Sequence, residues 1–176
     1  MSDFFDLVKQ RESCRNYNPD KRPTKEQLVN CIEAAGLAPS ACNSQPWSFI
    51  VINDPQKSPE VAHSIQASGI NQFTEKCPAF IVICEEPAYL IGRPEPNQKY
   101  AQMDIGIATA HLCFAATQQG LSTCIMGAFD SEKLHETLGL PTDKNIRLVL
   151  AVGYAANDQL RPKRRKAVDE IMTYIG

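Results

Sequence analysis

The sequence predicts an α+β fold of the three-layer α/β type, with helices packed against a small sheet, forming one domain over residues 1–176. Three observations lead there. Apolar, largely β-branched runs at residues 49–52, 79–84 and 146–153 read as strands, and the run at 79–84 is continuous enough to be buried on both faces. Segments with helical spacing of apolar residues lie between them, and helices interleaved with few strands point to a layered mixed fold. A chain of 176 residues, 43% of them hydrophobic, holds one sizeable core and is too short for two ordinary domains.

The elements follow in order. Phe4, Phe5, Leu7 and Val8 predict a short helix over residues 3–9, with Ser2 or Asp3 as its cap. Thr24 and Gln27 have the spacing of a capping box, in which the hydroxyl accepts from the backbone three residues on and the amide reaches back. Leu28, Ile32 and Ala35 continue that helix, and Gly36 is its expected stop. After the strand at 49–52 and an Asn53-Asp54-Pro55 turn, a helix is expected over 59–66, then the buried strand at 79–84. Residues 85–97 carry Pro87, Pro94 and Pro96 and should be irregular.

The central helix is expected over 100–119. Ile105, Ala108, Leu112 and Ala115 lie to one side, and Gly106, Ala110 and Ala116 permit close approach. Gly120 ends it, residues 123–126 are extended, and Ser131 caps a helix that runs to Leu138 and stops at Gly139. The strand at 146–153 follows, then a tail over 162–176 that is first basic and then helical.

Composition removes several function classes. No apolar run approaches the roughly 18 residues of a membrane helix, and the first residues lack the basic start and long apolar stretch of a signal peptide. A cytoplasmic protein without a membrane partner is the expectation. A net charge of −2 gives no general affinity for nucleic acid. The seven cysteines are scattered without a CxxC pair or zinc-type spacing, so neither a disulfide framework nor a metal site is expected, and Cys84 and Cys113 read as small core residues. His63, His111 and His135 lie far apart; His111 reads as a core or interface residue and the other two as exposed. A GxSxG elbow, a GxGxxG after a strand and a Walker loop are all missing, which leaves nucleophilic catalysis, a Rossmann site and a P-loop unsupported.

Two kinds of segment carry chemistry. Ser40, Asn43, Ser44 and Gln45 crowd hydroxyl and amide groups into the turn that leads to Pro46 and Trp47, an arrangement suited to a polar, neutral, planar ligand. Arg11, Ser13 and Arg15 alternate, so in an extended backbone they share a face and offer forked donors and a hydroxyl to a phosphate. A second basic run, residues 161–166, lies near the other end. Each basic run taken alone also fits a solvated surface.

The order of these segments resembles the FMN-dependent nitroreductase family. The N-terminal R-x-S-x-R is matched by Arg11, Ser13 and Arg15, and P-S-x-x-N-x-Q-P-W by Pro39, Ser40, Asn43, Gln45, Pro46 and Trp47. A D-x-G-x-A helix closing with G-L-G-T-C is similar to Asp104, Gly106 and Ala108 followed by Gly120, Leu121, Thr123 and Cys124, with Ser122 in place of the middle glycine. Gly153 and Tyr154, then Lys163 and Arg165, resemble its C-terminal G-Y and K-x-R.

This resemblance implies a central, mostly antiparallel sheet flanked by helices, and a homodimer with flavin sites at the interface. It implies non-covalent FMN, whose phosphate meets Arg11, Ser13, Arg15, Lys163 and Arg165, and whose ring meets Pro39, Ser40, Asn43 and Gln45. Gly127 and Ala128 would approach the ring near N5, with Asn71 by its pyrimidine side or the ribityl chain. The implied activity is a ping-pong oxidoreductase that passes hydride from NADH or NADPH to a nitroaromatic, quinone or similar small-molecule acceptor. No side chain acts as nucleophile, since the flavin carries the chemistry. Asp104 is expected in a structural role and Trp47 as a packing anchor. The alternatives are a flavin-fragmenting or reductive dehalogenating member of the same fold family and, from another class, a non-catalytic anion- or nucleic-acid-binding module.

Overall fold

In the computed structural model, which describes residues 3–66, 69–157 and 159–176, the chain runs α1 (Phe4–Gln10), α2 (Lys25–Gly36), β1 (Trp47–Ile52), α3 (Lys57–Ile65), β2 (Ala79–Glu85), α4 (Ala101–Gln118), β3 (Ser122–Met126), α5 (Ser131–Leu138), β4 (Asn145–Gly153) and α6 (Val168–Ile171). The four strands form one antiparallel sheet in the order β1-β2-β4-β3. All seven residues of β2 are buried, as its unbroken apolar sequence predicts.

Alternation along the strands divides the interior in two. Phe80 and Val82 of β2 join Val149 and Ala151 of β4 in a core shared with Val61 and Ile65 of α3 and Leu134 of α5. Ile81 and Ile83 join Leu150 and Val152 in a second core shared with Leu28 and Cys31 of α2 and Ile105 and Leu112 of α4. The result is three layers, helices over sheet over helices, as the sequence predicts. Trp47 packs against the second core.

Local chemistry decided most element ends. The capping box forms as expected, with the Thr24 hydroxyl accepting from Gln27 N–H at 3.1 Å and the Gln27 amide oxygen accepting from Thr24 N–H at 3.0 Å. Gly120 (φ 75°) and Gly139 (φ 63°) end α4 and α5 in the left-handed region that a side chain resists. Other ends differ from expectation. Gly36 is the last helical residue, and α2 closes on Leu37, whose N–H donates to Glu33 O at 3.1 Å. The α5 cap is Asp130, which accepts from Lys133 N–H at 3.1 Å, so Ser131 is already inside the helix. Asp3 makes no side-chain cap, and Ser2 lies outside the described residues. β1 begins at Trp47, two residues early, and α3 covers Lys57–Ile65.

Two further expectations are corrected. The tail holds a single helical turn, Val168–Ile171, because no other element packs against its apolar residues and an isolated short helix is marginal. His135 is buried, with Nδ1 2.6 Å from Ser131 O and Nε2 2.8 Å from Lys144 O, where it joins α5 to the start of β4. His63 is exposed as expected, and His111 Nδ1 lies 3.3 Å from Ala34 O, between α4 and α2.

Candidate functional site

After α1 the chain turns extended at Arg11 (φ −59°, ψ 118°) and is laced to the sheet. Ser13 bridges Thr123 in parallel, Cys14 N–H donates to Thr123 O at 2.9 Å, and Tyr17 bridges Ala155. Arg11, Ser13 and Arg15 are thereby held along the β3 edge, on the extended backbone that their alternation requires. The basic tail comes to the same place. Arg161 donates from its backbone N–H to Glu12 Oε2 at 3.1 Å, and its guanidinium reaches the Ser13 carbonyl. Lys163 Nζ donates to the carbonyls of Val8 (3.2 Å), Lys9 and Arg11 (2.7 Å), which caps the negative end of α1.

Two runs about 150 residues apart in sequence therefore converge, as the resemblance implied. Burial lowers the Lys163 pKa from the ordinary lysine value, and the like charges of Arg11 and Arg165 push it the same way. Glu12 alone among the named neighbours opposes that shift. Lys163 spends its three N–H donors on backbone, so it contributes charge and placement, while the arginines keep free donors. Arg161 was not singled out as a site residue although it begins the basic run; its contacts to Glu12 and Ser13 are tertiary and leave no mark in the sequence.

Beside this cluster lies a second group. The Arg15 guanidinium stands 5.9 Å from the Phe73 ring centre. Two residues before Phe73, Asn71 adopts φ 56°, and its Nδ2 donates to Ala128 O at 2.8 Å and Ile65 O at 3.4 Å. Gly127 and Ala128 leave the end of β3 exposed. A Cβ at Gly127 would meet only Leu148 Cδ2, at 3.9 Å, so its lack of a side chain opens the surface outward. Arg11, Ser13, Arg15, Asn71, Gly127, Ala128, Lys163 and Arg165 thus lie in one neighbourhood at the β3 edge. A cavity of about 350 Å³ opens beside it, with Glu12, Arg15, Asn157 and Arg161 in its wall.

The turn containing Ser40, Asn43 and Gln45 stands elsewhere. Cys42, Asn43 and Gln45 all take positive φ (54°, 54° and 49°), a cluster of non-glycine left-handed residues that costs energy and marks a constrained turn. Side chains hold it in that shape. Ser40 Oγ accepts from Gln45 N–H at 2.9 Å, and the buried carboxylate of Asp104, in the first turn of α4, accepts from Ala41 N–H at 3.1 Å. Asp104 thereby has the structural role expected of it. Pro39, Asn43 and Gln45 face solvent, with the Asn43 side chain and the Gln45 oxygen free to meet a ligand.

The turn precedes β1 and the Gly127–Ala128 step follows β3, at opposite edges of the sheet. Three strand spacings put them roughly 14 Å apart across the sheet. No hydrogen bond joins the two groups among the described residues. A wider cavity of about 650 Å³, between α2 and β1, is lined by none of the candidate residues. No described helix is long and apolar enough to cross a membrane, and no cluster of metal-ligating side chains exists among the described residues.

The donor set fits FMN. Five basic side chains, Arg11, Arg15, Arg161, Lys163 and Arg165, around the Glu12 carboxylate, with like-charge repulsion among them, suit an anion. The constrained neutral turn offers amide groups to the edge of a planar ring.

The model of the Nitroreductase family matches residues 8–68 and 56–154. A putative NADH dehydrogenase/NAD(P)H nitroreductase of Archaeoglobus fulgidus is 29% identical over 93% of this chain and 97% of its own. Iodotyrosine deiodinase 1 of Mus musculus is 25% identical over 98% of this chain and 70% of its own. The crystal structure of a putative nitroreductase in complex with FMN from Exiguobacterium sibiricum superposes with a TM-score of 0.84, at 23% identity over 99% of this chain and 98% of that one.

Proposed function

Because the chain belongs to the nitroreductase family, we propose that it is a homodimeric FMN-dependent oxidoreductase that moves reducing equivalents from NADH or NADPH to a small electron-poor acceptor by a ping-pong cycle. The observation that carries this reading is the convergence of Arg11, Arg15 and the 161–165 run on one edge of the sheet, with Asn71 and Ala128 beside them. The chemistry supplied by FMN when bound is acceptance of hydride at N5 and its delivery to a nitroaromatic, quinone or similar acceptor. Arg11, Arg15 and Arg165 neutralise the phosphate, with Ser13 as a hydroxyl donor and Lys163 fixing the strand that carries them. Pro39, Ser40, Asn43 and Gln45 present the turn to the ring. Gly127 and Ala128, without bulky side chains, leave room for the ring's reactive side, and Asn71 holds the Ala128 carbonyl in place.

A second copy of the chain is part of the proposal. Met103 and Ile107 lie one turn apart on α4, 59% and 39% exposed, with Gly106 open between them, and Phe4 and Phe5 of α1 are 62% and 67% exposed. Exposed apolar surface of this extent on helices that pack together is what a subunit interface covers.

The test is a visible spectrum of the purified protein, before and after FMN is added. Yellow protein that bleaches anaerobically with NADH or NADPH and recovers on addition of a quinone or nitro compound supports the reading; failure to retain FMN overturns it. A dehalogenating activity is the second reading, favoured by the similarity to the deiodinase. Release of iodide from an iodinated phenol under reducing conditions would separate it from the first. Flavin fragmentation would instead consume the cofactor, which product analysis after aerobic turnover detects.

A further inference from the structure

We propose that Glu12 is a positioning residue of the cationic edge: its carboxylate holds the 160–166 tail against the 11–15 strand, so that the basic side chains stand ready for a phosphate monoester before one arrives. This rests on the reading of that edge as the FMN phosphate site.

Alternation along the extended strand sends Glu12 to the side opposite Arg11 and Ser13. There, with Cys14, Asn16, Arg161 and Pro162, it lines the cavity of about 350 Å³. Its Oε2 accepts twice from one residue, from Arg161 N–H at 3.1 Å and from Arg161 Nε at 3.4 Å, and only 18% of the Glu12 side chain is exposed. A carboxylate that takes both the backbone and the guanidinium of an arginine fixes that residue's direction as well as its place. Among the described residues, the hydrogen bonds that tie 160–166 to the rest of the chain are made by Arg161 and Lys163. The segment has no helix or strand of its own, so these two anchors set where Arg165 stands.

The tail needs the Glu12 anchor because like charges crowd the strand it meets. The Ser13 carbonyl accepts from Arg15 Nη1 at 3.4 Å and from the Arg161 guanidinium as well, so two guanidinium groups share one oxygen. Lys163 lies in the same field: burial lowers its pKa, Arg11 and Arg165 lower it further, and Glu12 works against them. Glu12 thus gives the empty site the counter-charge that a phosphate gives the loaded one. Its own repulsion of a phosphate is the smaller effect. Arg11, Arg15, Arg161, Lys163 and Arg165 leave four positive charges in excess of Glu12, against about two negative charges on a phosphate monoester. Charge is already in surplus, and what remains to be supplied is placement.

The experiment has one arm without flavin and one with it. In full-length, cofactor-free protein, hydrogen exchange of the peptide covering 160–166 should be at least about tenfold faster in Glu12→Ala than in the parent, the scale of one charge-assisted hydrogen bond. Glu12→Gln, which keeps an acceptor oxygen, should recover most of that difference. In the second arm, fluorescence titration compares FMN with riboflavin, which has the same ring and ribityl chain but no phosphate. Glu12→Ala should weaken FMN about tenfold and leave riboflavin unchanged, and Glu12→Gln should restore most of the loss. Glu12→Asp keeps the charge but is one methylene short of Arg161, so it should weaken FMN in the same direction and tests the contact even where alanine prevents folding. A parent-like FMN Kd in Glu12→Ala, or in Glu12→Asp where alanine does not fold, overturns the proposal. Tighter FMN binding in both Glu12→Ala and Glu12→Gln overturns it too, by making the carboxylate only an opposing charge. An equal loss for FMN and riboflavin also overturns it, as general damage to the fold. A parent that takes up no FMN sinks the functional reading and the phosphate role with it, whereas parent-like tail exchange in Glu12→Ala, when the parent does bind FMN, sinks the anchor alone.

Discussion

A methyl group added at Gly153 tests how the end of β4 is packed. A Cβ there would stand 2.8 Å from both Cδ and Cγ of Pro78 and 3.1 Å from Cδ1 of Tyr17. Carbon atoms at rest lie roughly 3.5–4.0 Å apart, so the overlap with Pro78 approaches 1 Å. Neither neighbour can swing aside. The proline ring is stiff, and Tyr17 is 1% exposed with its hydroxyl donating to Ala151 O at 3.2 Å. Gly153→Ala should therefore destabilise the protein by about 1–3 kcal/mol, the range for overpacked cores, or roughly 5- to 150-fold in the folding equilibrium. Urea unfolding of the FMN-free protein at fixed concentration measures it, with an unchanged slope showing that only stability moved. Because Tyr17 and Ala155 bridge beside this position, FMN affinity should fall as well. Gly36→Ala supplies the contrast: nothing lies within 4 Å of the new Cβ at the last residue of α2, so the change should stay within about 0.5 kcal/mol. A loss of less than about 0.5 kcal/mol at Gly153, within the range of an ordinary surface change, would refute the packing argument.

Arg15→Ala and Arg165→Ala should each weaken FMN binding at least about tenfold, the scale of one charge-assisted hydrogen bond, whereas Lys21→Ala should not, because that ammonium sits 3.9 Å over the Tyr154 ring; fluorescence titration of FMN reads all three. Asp130→Ala should cost about 0.5–2 kcal/mol as the loss of a helix cap, and Ser131→Ala close to nothing, measured by the same urea unfolding. Stability should decline in acid. Burial raises the Glu85 and Glu86 pKa values, but the hydrogen bonds from Arg147 and Gln98 to one and from Lys144 and Ser48 to the other, with the attraction of the Arg147 and Lys144 charges, together outweigh it, so both end below the ordinary 4.5. Depressed carboxyl groups favour the folded state above the unfolded pKa, and that contribution is lost as pH falls through the folded values. Thermal unfolding from pH 6 down to pH 3 should show the loss below about pH 4.5, and Glu85→Gln should flatten it.

The sequence was most legible where one signal acts locally. The Thr24–Gln27 box and the stops at Gly120 and Gly139 formed as expected because the side chain or the left-handed backbone decides the outcome within a turn. Strand β2 was legible because burial on both faces leaves no polar residue to break its apolar run. Asp130 and Ser131 are both good caps one residue apart, and sequence alone does not choose between them. His135 was misjudged because a histidine on a short helix with charged neighbours looks exposed until β4 supplies the Lys144 carbonyl. The tail misled for a different reason: its apolar residues have helical spacing, yet helix formation needs a surface to bury them against, and this single chain offers none.

The same reasoning explains why the two parts of the candidate site were legible unequally. The cationic part could be anticipated because charge density is a property of composition, and the fold brings the two basic runs together. Its placement on β3 comes from the Ser13–Thr123 bridge, a tertiary contact with no signature in either segment. The neutral turn announced its polar groups but not their division of labour. Ser40 and Ser44 spend their oxygens on the Gln45 and Tyr89 backbone, which leaves Asn43 and Gln45 as the outward groups. Along α4, Asp104 holds the turn while Cys113, nine residues on, feels the charge of Arg11. That spacing is about 13 Å of helix, close to the separation across the sheet. Helix α4 thus contacts the neutral turn through Asp104 and runs toward the cationic part, and its exposed Met103 and Ile107 belong to the face proposed for a second copy. Substitutions on that face should therefore change FMN affinity and oligomeric state together, whereas changes confined to the 350 Å³ cavity beside Arg161 should change affinity alone.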